Sequence, residues 1–122
     1  MLDLIIKNGQ CYIDGELKDV DVSIKDGKIQ HIGQISEESK DFIDAKGLTV
    51  LPGCIDTQTH FREPGSTDTE DLHSGSRAAI VGGITAVFEM PNTNPPTSNF
   101  KEFNNKIKAA KDRMFCNYAF YF

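Results

Sequence analysis

Leu51-Pro-Gly-Cys-Ile-Asp-Thr-Gln-Thr-His-Phe-Arg-Glu-Pro-Gly65 is the stretch that decides how this chain folds. It opens on a Pro-Gly turn, passes through the β-favouring Cys54-Ile55-Asp56, and stops at Pro64-Gly65, which no regular element crosses easily. Asp56, Gln58, His60, Arg62 and Glu63 lie between those marks. A strand that carries its polar residues to its carboxyl end is the expected local structure. Beyond it, Glu70 to Val81 sets Leu72, Ala78, Ala79 and Val81 among polar positions and ends at Gly82-Gly83, which predicts a helix. Ile84 to Met90 is a β-favouring run, and Pro91 to Ser98 is a proline-rich loop. Phe100 to about Arg113 predicts a second helix capped by Ser98 or Asn99, with Phe103, Ile107 and Ala110 on one face. Cys116 to Phe122 reads as a third strand.

Strand, helix, strand, helix, strand is the order of parallel βα units. The expected fold class is α/β, with residues 52–122 forming the opening strands and helices of a TIM-type (β/α)8 barrel. Such barrels take about 250 residues, so three strands make an opening portion and the chain is expected to be a fragment; an open three-stranded sheet is the alternative. Residues 1–51 follow another pattern, of short apolar or alternating runs broken by Asn8-Gly9, Asp14-Gly15, Asp26-Gly27 and Lys46-Gly47. Val20, Val22 and Ile24 alternate with Asp21 and Ser23, and the run resumes from Ile29 to Ile32 after Asp26-Gly27, as in a tight hairpin. A small antiparallel β-sandwich unit is expected there.

Bulk properties exclude several function classes. The chain is 39% hydrophobic and 25% charged, the make-up of an ordinary globular protein. A formal charge of -5 gives no attraction to nucleic acid or anionic lipid, so neither is an expected partner. No run approaches the roughly 20 apolar residues that span a bilayer. Cys11, Cys54 and Cys116 are odd in number and lack a Cys-x-x-Cys pair, which points to a reducing cytoplasm and to thiols used as small apolar residues in or near a core.

The chemistry sits at the carboxyl end of the first barrel-type strand, where barrel enzymes place their sites. His60 offers an imidazole nitrogen to a divalent metal, which lowers the pKa of water and polarises a carbonyl, as hydrolysis of an unactivated amide requires. A lone histidine is more often structural. Arg62, two residues on, points to the same side of an extended chain, and its planar guanidinium matches a carboxylate. An exposed Arg62 paired with Glu63 or another surface acid is the plainer alternative. Asn92, in Pro91-Asn-Thr-Asn-Pro-Pro96, follows the second strand and would share that rim, able both to donate and to accept, though an asparagine beside prolines is commonly a turn residue. His31 and His73 read as a strand-turn residue and a helix-surface residue.

Leu51 to Asp56, Thr59-His-Phe-Arg-Glu-Pro-Gly65, Ser76-Arg-Ala-Ala79, Gly82-Gly-Ile-Thr85 and Glu89-Met-Pro-Asn-Thr-Asn-Pro-Pro96 occur in one order and together resemble the dihydroorotase branch of the metal-dependent cyclic amidohydrolases. The resemblance extends over essentially the whole chain. It implies reversible ring opening of dihydroorotate to N-carbamoyl-aspartate in pyrimidine biosynthesis, with one or two zinc ions. It also implies His60 as metal ligand and substrate contact, and Arg62 and Asn92 on the substrate carboxylate. Asp56 would orient the metal loop. The family has His-x-His where this chain has Gln58-Thr59-His60, which leaves Gln58, an amide and a weaker zinc donor than imidazole, as a questionable second ligand. No catalytic residue is assigned within the chain, and Glu63, Asp68 and Glu89 are given no general-base role. A homo-oligomer or a pyrimidine-pathway enzyme partner is the protein association the resemblance brings with it. Two alternatives stand beside it. One is a non-catalytic homologue acting as a scaffold or partner subunit. The other is an allantoinase or hydantoinase, against which Arg62 and Asn92 lean, because a buried guanidinium facing an uncharged ring would go unpaired.

Overall fold

Backbone in the left-handed region at Asp14, Gly15, Asp26 and Gly27 reverses the chain twice in its first thirty residues. In the computed structural model, which describes residues 1–122, Met1–Pro52 and Gly53–Phe122 form two separate units. The first contains β1 (Leu2–Lys7), β2 (Gln10–Ile13), β3 (Glu16–Asp19), β4 (Asp21–Lys25), β5 (Lys28–Gly33), β6 (Ser39–Asp44) and β7 (Thr49–Val50). The two reversals make the antiparallel pairs β2–β3 and β4–β5.

The unit is mixed rather than antiparallel, with sheets ordered β5-β4-β1-β6 and β3-β2-β7. Asn8, at φ 63°, carries the chain from one sheet to the other instead of closing a hairpin. The returning segment then runs beside β1 and β2 in their own direction, so that β6 and β7 pair with them in parallel. Asn8 Nδ2 donates to Asp44 Oδ1 at 2.9 Å, and Ala45 N to Lys7 O at 2.8 Å, which fixes this return. Leu2, Ile5, Cys11, Val22 and Ala45 are buried, whereas Ile29, Ile32, Phe42 and Ile43 are exposed.

The second unit runs β8 (Cys54–Thr59), α1 (Leu72–Val81), β9 (Ile84–Glu89), α2 (Phe100–Ala110) and β10 (Asn117–Phe120), with the three strands parallel in the order β10-β9-β8. Helix α1 begins at Leu72 because Asp71 and Ser74 close a reciprocal capping box, and it ends at Gly82. Asn99 caps α2 by accepting from Glu102 N at 3.0 Å. That helix stops at Ala110, short of the expected Arg113, and Asp112 turns the chain at φ 59°. Phe61, Leu72, Val87, Ala110 and Cys116 form the core. Cys54 corrects one expectation: it is exposed at the start of β8, while Cys11 and Cys116 are buried. No helix is long and apolar enough to cross a membrane.

Gly75 shows how closely α1 sits on this core, since a Cβ there would lie 2.5 and 2.7 Å from two ring carbons of Phe61. Gly75→Ala should therefore destabilise the fold by about 1–3 kcal/mol through overpacking, outweighing the roughly 1 kcal/mol that alanine gains over glycine in a helix. The urea midpoint is the check; a raised midpoint would mean that Phe61 is not held against α1.

Candidate active site at the ends of two parallel strands

Parallel pairing places Asp56 beside Val87 and Thr59 beside Glu89, with a register shift between the two pairs. Met90 N donates to Thr59 O at 2.9 Å, and Thr59 Oγ1 to Phe88 O at 3.2 Å, so both chains leave the sheet together. Phe61 is buried in the core, between a half-buried His60 and an exposed Arg62. Gln58 and Asn92 are exposed as well.

The structure brings His60 and Asn92 into contact, with His60 Nδ1 2.9 Å from Asn92 Oδ1. An amide oxygen only accepts, so Nδ1 carries the proton and Nε2 presents its lone pair. Asn92 keeps its NH2 group as a donor. The loops are joined again where Asn94 N donates to Pro64 O at 3.0 Å. Gly65 allows that approach: its φ is 123°, and a Cβ there would lie 2.9 Å from Asn94 Cβ and 3.0 Å from its carbonyl oxygen. Asp56 Oδ1 accepts from the Gln58 backbone N–H at 2.9 Å, so this aspartate holds the local backbone.

Glu63 does not pair with Arg62. Arg113, fifty residues on, grips it in bidentate fashion at 2.7 and 3.0 Å, while Leu72 N donates to Glu63 Oε2 at 3.0 Å. Arg113 also donates to Ala109 O at 3.0 Å and lies 3.6 Å from Asp71. One carboxylate thus ties the loop after β8 to the start of α1 and the end of α2.

Glu89 and Lys106 form an ion pair with both side chains buried, and Lys106 Nζ also donates to Met90 O at 3.2 Å. Glu89 Oε1 has no partner. Burial pushes the Glu89 carboxyl up, while the hydrogen bond and charge of Lys106 pull it back. Lys106 had a legible mark: with Phe103 and Ala110 it completes an i, i+3, i+7 stripe, and it is buried while Ile107 is 38% exposed.

For a metal, the rim offers one imidazole at His60 and one amide oxygen at Gln58, and no group of three His, Cys, Asp or Glu gathers anywhere in the chain. Zinc sites take three or four such ligands. The donors of this chain alone do not fit zinc.

Residues 49–122 match the model of the Amidohydrolase family. An allantoinase of Escherichia coli O1:K1 / APEC is 46% identical over 113 residues, which are 92% of this chain and 25% of that protein. Among solved structures, an L-hydantoinase (dihydropyrimidinase) from Arthrobacter aurescens superposes with a TM-score of 0.87 at 34% identity, covering 99% of this chain and 28% of its own. An N-acyl-D-glutamate deacylase from Bordetella bronchiseptica, solved with zinc and a phosphonate inhibitor, superposes with a TM-score of 0.53 at 27% identity over 72% of this chain and 18% of its own. The chain spans about a quarter of the length of the curated relatives it matches.

The Arg113 guanidinium holds the Glu63 carboxyl below its ordinary 4.5, against an opposing push from burial. The folded pKa lies below the unfolded one, so this stabilisation is present above the unfolded value and is lost as pH falls through the folded value. Urea midpoints should drop on acidification below 4.5, and Glu63→Gln should flatten that acid limb while lowering the neutral plateau. An unchanged acid limb in the variant would remove Glu63 from the account.

Proposed function

Because the chain belongs to the amidohydrolase family, we propose that the protein it forms hydrolyses a C–N bond of a cyclic amide at the rim where β8 and β9 end. The His60–Asn92 contact carries this reading, since it joins loops from two adjacent parallel strands and leaves His60 Nε2 available to the reaction. Arg62 and the Asn92 NH2 group would then donate to a ring carbonyl as negative charge gathers on its oxygen. The sheet order β10-β9-β8 with its two helices is the opening of a TIM-type barrel, a reading supported by the hydantoinase superposition over nearly the whole chain.

An uncharged ring of the allantoin or hydantoin kind is the substrate class that the relatives support. Arg62 does not exclude this class, because guanidinium N–H groups donate to the carbonyl oxygens of an uncharged ring as well as to a carboxylate. Dihydroorotate is the second reading, and its support is again Arg62: beside His60, a fork of N–H donors suits a carboxylate.

Full-length protein assayed on allantoin, hydantoin and dihydroorotate should open one of the uncharged rings, and His60→Ala should sharply reduce that activity to a measurable residue. Dihydroorotate turnover that collapses in Arg62→Met would establish the second reading. Inertness toward all three rings would overturn the hydrolase reading in favour of a scaffold role. Gln58→His supplies a second imidazole two residues from the first, and zinc bound per protein, measured by elemental analysis, should rise. Unchanged zinc content would place Gln58 away from any metal.

A further inference from the structure

Lys106 and Glu89, the last residue of β9, are both fully buried where that strand ends at the rim. Ion pairs in such places are poor sources of stability, since packed apolar residues of similar volume are often as good or better. This pair is worse placed than most, because Glu89 Oε1 meets no donor. Its geometry shows a different use. The Glu89–Met90 backbone is held from three sides: Met90 N by Thr59 O of β8 at 2.9 Å, Glu89 O by Tyr121 N just beyond β10 at 3.0 Å, and Met90 O by Lys106 Nζ of α2 at 3.2 Å. Two residues past Met90 stands Asn92, whose oxygen receives His60.

We propose that the Lys106–Glu89 pair positions the His60–Asn92 couple: Glu89 anchors the ammonium, the ammonium fixes the Met90 carbonyl, and the chain entering Pro91-Asn92 is thereby aimed at His60. Lys106 and Glu89 are positioning residues that act through Asn92 and touch no substrate. The proposal rests on the reading of His60 and Asn92 as the working rim.

The test uses full-length protein carrying Lys106→Met with Glu89→Leu, which removes the pair without leaving a lone buried charge. Two properties are read: the melting temperature, and the 15N spectrum of the His60 ring, assigned by its loss in His60→Asn. Wild-type protein should show the Nδ1–H tautomer. The double variant should melt at or above the wild-type temperature while its His60 ring shifts toward the Nε2–H form, as in Asn92→Ala, and kcat should fall about 10- to 100-fold with KM changed less. A folded double variant with a wild-type His60 spectrum overturns the proposal. So does a double variant that no longer folds, because the pair would then be structural. Wild-type protein that opens no ring would sink the proposed function alone, since the His60 spectrum is read without turnover.

Discussion

Parallel pairing of β8 with β9 is the constraint on which the rest of the site depends. Setting Thr59 beside Glu89 makes two chain segments, thirty residues apart in sequence, leave the sheet at one place and in one direction. Phe61 belongs to the core, whereas His60 beside it is half-buried and Arg62 exposed. Asn92, delivered by the neighbouring strand, meets His60 at the distance of a single hydrogen bond. Gly65 lets the two loops close, and the Glu63–Arg113 clasp ties the first of them to both helices.

The alternation of elements in residues 52–122 was legible because helix and strand periods differ and turn residues separate them. Asn99 as a cap was legible for the same local reason. The end of α2 was not: nothing in Lys111-Asp-Arg113 marks a stop as proline would, and the left-handed turn at Asp112 is seen only in the fold. In the first unit both Asp-Gly hairpins could be read from short-range chemistry. The parallel pairing of residues 2–7 with 39–44 leaves no local mark, so an antiparallel unit was expected where a mixed one forms.

The site divides along the same line. His60, Arg62 and Asn92 stood out because their residue types carry chemistry at strand ends. Glu63 looked like a neighbour of Arg62, yet its partner lies fifty positions away, a pairing that only the packing of α2 creates. Lys106 carries opposing signals, since its residue type favours solvent while its place in the apolar stripe points inward. Arg62 by itself leaves substrate charge open, since its N–H groups donate to ring carbonyls as well as to carboxylates.

The central claim is that loops from two neighbouring strands act as one site through His60 and Asn92. A double-mutant cycle on kcat/KM in the full-length protein, using His60→Ala, Asn92→Ala and their combination, tests it most directly. Residues that act as a unit are strongly non-additive, so the combined variant should be little worse than His60→Ala alone. Losses that simply add would mean that the two side chains work independently, and would contradict the account.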